Sequence, residues 1–422
     1  MNVLWIVNVL FPEVAEQLLG NKEFRSSGGW LLSSANLLSR EEGIRLSIAT
    51  VSKYVDNLRV IQGELITYYV IPFGRGNRVE NTEYEPYMKQ ISDVVAPDIV
   101  HIHGTEFSHG LSYLRACGNQ NVVVSIQGLN EAIYEYYTVG LRMWDIVKNT
   151  TPFDLINKCI LSQRKNYKSK TKYENALISN SKHIIGRTDW DHARIWYQNP
   201  EACYYTCNES LRKEFYGYEW KYENCVKHSI FLSQAAYPVK GLHIFIRALQ
   251  KIKDNYPDVK VRIAGRNILS TATIKEKLLF QGYAKLIRSF IRKYHLEDSI
   301  VFTGPLSAEE MREEYLKANV FVSPSVIENS PNSVGEAQIL GVPCISSFVG
   351  GVGTLIPDDQ CGLKYRSDDF RALAFYVCQV FSQKQFSNER VMSVAKNRHD
   401  PIINTKVLLD IYYRIIKNSE ND

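Results

Sequence analysis

The chain has 422 residues, with 45% hydrophobic and 23% charged side chains and a net charge of +5 at pH 7. A chain of this length usually folds around more than one hydrophobic core, so two domains are expected. No apolar run approaches the roughly 20 residues that span a bilayer. The eight cysteines are scattered without a C-x-x-C pair, and residues 1–14 lack the basic start of a signal peptide, so a cytosolic protein with reduced thiols is expected.

Short apolar segments that alternate with helical stretches predict an α/β protein. In the first half, strands are predicted at 3–9, 46–51, 66–71, 99–103, 122–126, 182–185 and 204–206, and helices at 30–40 and 189–197. In the second half, strands are predicted at 229–232, 259–264, 300–302, 320–322 and 344–346, and helices at 242–255, 274–294, 308–318, 332–340 and 404–417. Two such runs predict two similar lobes, each with a parallel sheet covered on both faces. The predicted division is 1–218, 219–400 and a C-terminal helical segment 401–422.

Two glutamates eight positions apart are the most informative feature of the chain. Glu328 lies in a polar loop after a buried strand, and Glu336 lies in the helix that follows and that ends at Gly341. In an open parallel sheet this loop lies at the carboxyl edge of the strands, where ligands bind. One carboxylate can therefore accept the hydroxyls of a sugar, and the other can accept those of a ribose.

The same loop is suited to a phosphate. Its backbone N–H groups and the positive end of the helix favour an anion. The donor-binding candidates in this loop and first helical turn are Asn329, Ser330, Asn332 and Ser333. By contrast, the glycines at 350–353 lack the G-x-G-x-x-G spacing of a dinucleotide-binding loop, which argues against a nicotinamide dehydrogenase. Gly350 and Gly351 are interpreted as a tight turn that lets the backbone approach a ligand.

The segment ENSPNSVGEA resembles the Glu-x7-Glu motif of retaining glycosyltransferase family 4, and GVP and a glycine pair follow it as in that family. The resemblance covers nearly the whole chain and is strongest over 231–351. Within the family it is most similar to bacterial enzymes of capsule and exopolysaccharide clusters. It implies the GT-B architecture, in which two Rossmann-like lobes have parallel sheets facing an interlobe cleft and a C-terminal helix crosses back to the first lobe.

The first lobe contributes a glycine pair. Ser26 and Ser27 precede Gly28 and Gly29, which open a predicted helix, and adjacent glycines there allow close approach of an anionic or sugar ligand. The resemblance places this glycine loop against the donor diphosphate and the acceptor.

A strand end in the first lobe contributes histidines. Strand alternation places His101 and His103 on the same face, and His103 lies at the very end of the strand. The resemblance implies that His103 sits beside the transferred sugar and takes part in catalysis together with Glu328 and Lys240. The next strand ends in Gln127, an acceptor-side candidate, where relatives often have a histidine, which leaves His103 as the only obvious imidazole at that edge.

The loop that opens the second lobe supplies a cation. Lys240 precedes a glycine and a helix, where its charge can neutralise the leaving diphosphate. The family usually has an arginine six positions earlier, where this chain has the donor-binding candidate Gln234, so one or two cations could meet the phosphate charge. Arg266 as a donor-side residue, or Arg187, which is also an acceptor-side candidate, could supply the second. Asp189 and Asp191 are interpreted as helix N-terminal residues, and no metal is expected.

The segment 142–172 is unusually basic. It contains two acidic residues and eight basic ones, which gives a net charge of +6; the basic residues are Arg142, Lys148, Lys158, Arg164, Lys165, Lys168, Lys170 and Lys172. Phe153, Ile156 and Ile160 stand at helical spacing, which predicts an amphipathic helix on an anionic membrane surface, although a solvated face is the alternative. No signature of nucleic-acid binding accompanies the basic residues.

These patterns predict a retaining hexosyltransferase that moves a sugar from a nucleotide-sugar donor to a hydroxyl of a growing surface glycan or a lipid-linked acceptor. No cofactor is expected. The protein is expected in the cytoplasm or peripherally at the inner face of the membrane. One alternative is a GT-B sugar-nucleotide epimerase, which would convert the donor without an acceptor. The other is an inactive sugar-binding homologue, which is suggested by Gln234 in the place of the usual arginine.

Overall fold

The computed structural model describes residues 1–20, 28–74, 82–383 and 387–420, and the chain divides into two compact units. The first unit comprises residues 1–131, 168–212 and 398–422, and the second comprises 132–167 and 213–397. The sequence-based division at 218/219 and 400/401 therefore differs from the observed one by a few residues, and it gave 132–167 to the first lobe. That segment lies in sequence between β6 and β7 of the first unit, but it packs on the second unit: the carbonyl of Val139 lies 2.8 Å from His243 Nε2.

An eight-stranded sheet forms the centre of the first unit. Its strand order is β3-β4-β2-β1-β5-β6-β7-β8, and every pair is parallel except the antiparallel pair β3–β4. The strands are β1 (Asn2–Val7), β2 (Arg45–Ser52), β3 (Arg59–Gln62), β4 (Thr67–Pro72), β5 (Ile99–His103), β6 (Val122–Ser125), β7 (His183–Gly186) and β8 (Cys203–Thr206).

Helices cover both faces of this sheet, as a parallel sheet requires. The C-terminal helix contributes Leu408, Ile411, Tyr412 and Ile415 to the core that contains Trp5. The helices of the chain up to residue 198 are α1 (Pro12–Leu19), α2 (Gly29–Leu38), α3 (Glu85–Val95), α4 (His109–Cys117), α5 (Asn130–Tyr136), α6 (Met143–Asn149), α7 (Ile160–Ser179) and α8 (Asp189–Gln198).

A six-stranded parallel sheet forms the centre of the second unit, in the order β11-β10-β9-β12-β13-β14. Its strands are β9 (Ser229–Leu232), β10 (Lys260–Ala264), β11 (Ile300–Gly304), β12 (Val320–Ser323), β13 (Cys344–Ser347) and β14 (Leu363–Tyr365). The remaining helices are α9 (Leu242–Asn255), α10 (Ile274–Leu278), α11 (Gly282–Lys293), α12 (Ala308–Lys317), α13 (Asn332–Leu340), α14 (Val352–Leu355), α15 (Phe370–Ser382), α16 (Glu389–Arg398) and α17 (Pro401–Ser419).

Two predicted helices were wrong in detail. The helix predicted over 274–294 is two helices, because α10 ends at Leu278 and Gln281 adopts an extended conformation before α11. The amphipathic helix predicted from Phe153, Ile156 and Ile160 is absent: residues 154–158 form one π-helical turn, Ile160 is buried, and Ile156 is exposed. Helical spacing in the sequence does not place these side chains on one face, because the backbone bends at Cys159, where it is extended.

Two strands escaped the sequence pattern. β3 is an exposed antiparallel edge strand with one buried residue, and β14 has only three residues, so neither shows the buried apolar run that marks the other strands. All eight cysteines are free thiols. Among the described residues, no helix combines the length and the apolar character needed to cross a bilayer.

Candidate functional site

The strand order of the second sheet places its candidate residues at one point. β9 pairs with β10 on one side and with β12 on the other, so the chain reverses its direction of winding between β9 and β12. Ligands of open α/β sheets bind at the carboxyl ends of the strands at such a switch point. Lys240 follows β9 and Glu328 follows β12, so these two candidates flank the switch point.

Lys240 and Glu328 form an ion pair across the switch point. Lys240 Nζ lies 2.5 Å from Glu328 Oε1, and the Lys240 and Glu328 side chains are 20% and 17% exposed. Ser325 Oγ donates to the same Oε1 atom at 2.8 Å. Burial alone would lower the pKa of Lys240, but the charge of Glu328 and the nearby Tyr237 outweigh it and raise that pKa above its usual value. The lysine is therefore a fixed cation at every physiological pH.

The loop that carries Glu328 is held from both sides by backbone contacts. Val326 N donates to Val239 O at 2.8 Å, which joins it to the loop after β9, and Gly351 N donates to Glu328 O at 3.1 Å, which joins it to the loop after β13. A Cβ atom on Gly350, whose φ is +50°, would lie 1.9 Å from Glu328 O. Gly350 is therefore required for packing against the Glu328 backbone, and the approach of this turn to a ligand stays a prediction.

Glu336 lies one turn into α13 and is buried. Its Oε2 atom lies 3.4 Å from the hydroxyl of Tyr315, which also donates to Ser333 O at 2.9 Å. α13 begins and ends where the sequence predicted, with Pro331 before its first residue and Gly341 in the left-handed conformation after its last. Asn329 is buried in the loop before the helix, and Ser330, Asn332 and Ser333 are partly exposed.

The two remaining donor-side candidates of the second unit are exposed. Gln234 lies in the loop after β9, and Arg266 follows β10, the neighbour of β9. Arg266 and Ala236 both line a small cavity, so the loops after β9 and β10 lie side by side. Of the two arginines that the sequence offered as a second cation, Arg266 is the one with an exposed side chain.

His103 lies at the corresponding point of the first sheet. β1 pairs with β2 and β5, so the switch point of this sheet lies between β1 and β5, and β5 ends at His103. The His103 ring lies against those of Trp5 and Trp30, with centroids 4.3 and 5.9 Å away. Both ring nitrogens of His103 are buried and have no hydrogen-bond partner among the described residues. Burial, together with nearby His101, holds its pKa well below the usual range, so the ring is neutral.

A chain of buried hydrogen bonds fixes the neighbouring ring of His101, which is stacked on His103 at 3.7 Å. Trp5 Nε1 donates to the Tyr412 hydroxyl at 3.0 Å, Tyr412 lies 2.6 Å from His101 Nδ1, and His101 Nε2 lies 2.5 Å from Ser125 Oγ. Because an indole N–H only donates, the simplest arrangement has Tyr412 donating to Nδ1 and His101 donating from Nε2. The C-terminal helix thus orients the ring on which His103 rests.

The free energy of unfolding is expected to depend on pH because the His101 ring is buried. Burial lowers the pKa of His101 to about 3, below the ordinary 6.5, so its contribution to stability is present above pH 6.5 and is lost as the pH falls. We expect the unfolding free energy of the protein to decrease by up to about 1.4 kcal/mol per pH unit below 6.5 from this residue alone. Urea unfolding between pH 7.5 and 4.5 should give a shallower slope for His101→Gln. Equal slopes would mean that His101 is charged in the folded protein.

Arg187 and Gln127 lie together in the first unit but are bound to Glu209. Arg187 Nη1 lies 2.6 Å from Glu209 Oε2 in a buried ion pair, and Gln127 Nε2 donates to Glu209 Oε1 at 2.8 Å. The charge of Arg187 is thus already balanced, which weakens its case as a free phosphate-binding cation. The sequence missed Glu209 because no local pattern marks a carboxylate that pairs with residues 22 and 82 positions away.

The glycine pair of the first unit begins α2. Gly28 precedes the helix, and a Cβ atom on Gly29 would lie 2.8 Å from the Arg212 side chain, so Gly29 admits that arginine. Ser26 and Ser27 lie outside the described residues. Asp191 forms a capping box with Thr188 at the start of α8, in agreement with its interpretation as a helix N-terminal residue. Within the described part of the chain no three His, Cys, Asp or Glu side chains cluster as metal ligands.

Sequence comparison points to glycosyl transfer. Residues 226–399 match the family model described as glycosyl transferases group 1. The putative colanic acid biosynthesis glycosyltransferase WcaL of Escherichia coli is 28% identical over 141 residues, which are 32% of this chain and 31% of that protein. The putative glycosyltransferase YtcC of Bacillus subtilis is 23% identical over 307 residues, 71% of this chain and 68% of that protein. The match to WcaL thus spans about a third of that relative, and the family match supports a role in glycosyl transfer.

Solved structures match the fold over almost the entire chain. Sucrose-phosphate synthase from Thermosynechococcus elongatus has a TM-score of 0.68 at 14% identity and covers 99% of both chains. Anabaena Alr3699/HepE has a TM-score of 0.66 at 12% identity over 97% of this chain and 99% of that chain. These likenesses confirm the predicted fold class: the chain has two parallel-sheet domains that match the GT-B glycosyltransferase structures.

Proposed function

We propose that the chain is a retaining glycosyltransferase that uses a nucleotide-sugar donor. One observation supports this most: Lys240 and Glu328 pair at the switch point of the second sheet, and Glu336 is buried in the adjoining helix. A cation for a diphosphate and a carboxylate for hydroxyls thereby lie where such sheets bind ligands. The HepE structures contain UDP, UDP with glucose, and UDP-glucose, which is consistent with a donor of this class.

In this proposal each residue has a separate task. Lys240 and the amides of the loop before α13 bind the diphosphate, Glu336 accepts the ribose hydroxyls, and Glu328 accepts hydroxyls of the sugar. The Lys240 ammonium stabilises the charge that grows on the diphosphate as the glycosidic bond breaks. Glu328 also keeps the lysine protonated and in place before the donor binds.

His103 contributes as a neutral imidazole. Its buried nitrogens have no partner among the described residues, so they are available to a hydroxyl of the transferred sugar. The departing diphosphate can accept the proton of the attacking hydroxyl on the same face of the sugar. This explains how retention is achieved with no protein nucleophile and with no metal in the proposed reaction.

The proposed acceptor is a hydroxyl of a growing surface glycan or of a lipid-linked sugar, modified in the cytoplasm or at the inner face of the membrane. The relative named for colanic acid biosynthesis supports a polysaccharide acceptor. The net charge of +6 over 142–172 supports a lipid-linked one, because basic segments are attracted to anionic lipids.

A donor screen tests the proposal. The protein is incubated with a panel of nucleotide sugars without an acceptor, and the products are followed by NMR. We expect slow hydrolysis of one donor class to free sugar and nucleoside diphosphate, with the anomeric configuration of the first-formed sugar unchanged. Conversion of the donor to an epimeric nucleotide sugar would instead establish an epimerase, and donor binding without any product would establish an inactive homologue.

A further inference from the structure

Two segments of the second unit that are distant in sequence lie side by side. One is 142–156, which contains α6, and the other is 274–293, which contains α10 and α11. Gly282 N donates to Asp154 Oδ2 at 2.8 Å, and Thr151 Oγ1 donates to the carbonyl of Phe280 at 2.8 Å. Asp154 is buried and also accepts from Thr151 N at 2.7 Å, so one buried carboxylate joins the two segments. We call the combined outer face of the two segments the apolar-basic surface.

Large apolar side chains project from both segments into solvent. Leu155 and Ile156 directly follow the junction residue Asp154, and both are 80% exposed. On the other segment, Leu278 and Leu279 directly precede the junction residue Phe280, and Leu278 is 70% exposed. The other exposed apolar residues of the surface are Met143, Trp144, Val147 and Ile274. Exposed apolar side chains concentrated in two adjoining segments are typical of an interaction site.

The charges among these side chains are almost all positive. Residues 274–293 include six basic residues and one acidic residue, Glu276, which caps α10. Residues 142–156 include Arg142 and Lys148, both exposed, with Asp145, while the second carboxylate, Asp154, is buried in the junction. The basic side chains at the surface include Lys275, Lys277, Lys285, Arg292 and Lys293, all exposed.

We propose that the apolar-basic surface docks on an anionic phospholipid bilayer. Apolar side chains that enter the boundary of headgroups and acyl chains, with basic side chains beside anionic headgroups, are the two contributions that hold proteins at such a surface. Trp144, 71% exposed, has the amphipathic ring that favours this boundary. A second copy of the chain fits less well, because a twofold interface would set the basic residues of one copy against those of the other.

Docking through this surface differs from the amphipathic helix that the sequence predicted. It needs residues from two segments more than 100 positions apart, and its exposed apolar side chains include neither Phe153 nor Ile160. It rests on exposure and charge and does not depend on the proposed glycosyl transfer.

Co-sedimentation of the full chain with vesicles tests the proposal. We expect binding to vesicles of phosphatidylcholine with phosphatidylglycerol, little binding to phosphatidylcholine alone, and weaker binding as salt increases. Trp144→Ala should reduce vesicle affinity by about tenfold, in keeping with loss of a large apolar contact. Lys277→Glu should reduce it by at least about fivefold, the share of one basic residue near the membrane.

Matched variants at other positions distinguish the loss of the apolar-basic surface from general effects of losing a tryptophan or reversing a charge. Trp196→Ala removes a similarly exposed tryptophan of the first unit, and Lys396→Glu reverses an exposed lysine of α16; both should bind vesicles as the unchanged protein does. Donor hydrolysis in the absence of vesicles should be equal in all four variants.

Several outcomes would overturn the proposal. They are absence of binding to the anionic vesicles at low salt, equal losses in the matched variants, and a dimer in sedimentation velocity that Trp144→Ala dissociates without any vesicle binding. A protein that binds vesicles through this surface but hydrolyses no donor would leave the docking surface standing and refute the proposed function alone.

Discussion

Lys240→Ala is expected to lower turnover by about a hundredfold or more, the usual effect of removing one preorganised electrostatic group. The ammonium of Lys240 is held 2.5 Å from Glu328 in a largely buried site, so it meets the departing diphosphate without rearrangement of water. The effect should fall mainly on kcat, because the charge on the diphosphate grows as the glycosidic bond breaks. Steady-state kinetics of donor hydrolysis measures it.

The ion pair makes a second variant necessary as a control. Removing Lys240 alone leaves the Glu328 carboxylate without its cation, and breaking a buried pair in this way costs about 3 kcal/mol of stability. Lys240→Ala with Glu328→Gln removes that stranded charge, so the double variant should regain stability but not turnover. Lys240→Arg should restore part of the rate. Near-normal turnover in folded Lys240→Ala would mean that another cation, with Arg266 the first candidate, neutralises the diphosphate.

Glu336→Ala is expected to weaken binding of the free nucleotide by about 1 to 3 kcal/mol, because the ribose hydroxyls lose their acceptor in a buried position. Titration calorimetry with nucleoside diphosphates measures this directly and needs no turnover. Glu328→Ala provides the contrast: its carboxylate is assigned to the sugar, so nucleotide affinity should change little while turnover falls.

Folding must be controlled in the Glu336 variant. Glu336 Oε2 lies 3.4 Å from the Tyr315 hydroxyl inside the second unit, so alanine leaves a small cavity beside a tyrosine. Glu336→Gln fills the same volume and keeps one acceptor oxygen, and it should retain part of the affinity. If the folded alanine variant binds nucleotide as tightly as the unchanged protein, Glu336 does not contact the ribose.

The structure favours one residue as the substitute for the arginine that the family usually has at position 234. Gln234 and Arg266 lie on the loops that follow the adjacent strands β9 and β10, and both are exposed. Arg187 lies in the first unit and is already paired with Glu209. Arg266 is therefore the better of the two proposed substitutes for the missing cation.

Several features were predictable from the sequence because they depend on neighbours within one element or one loop. Short apolar runs identified 12 of the 14 strands found among the described residues, and Pro331 and Gly341 identified the limits of α13. The position of Glu328 and Glu336 at the carboxyl edge of a parallel sheet followed from the strand, loop and helix in which they lie. The two strands that were missed lack a buried apolar run of their own.

Hydrophobic periodicity and turn chemistry act over a few residues, so the α/β class, the two sheets and the loops that carry the candidate residues follow from local sequence. Which of these residues meet depends on packing between distant segments. Lys240 and Glu328 are 88 positions apart and His101 and Tyr412 are 311 apart, and each pair forms because strand order and helix packing bring its members together. The same holds for 142–156 and 274–293, which lie side by side because Asp154 and Thr151 bond to the backbone of Gly282 and Phe280.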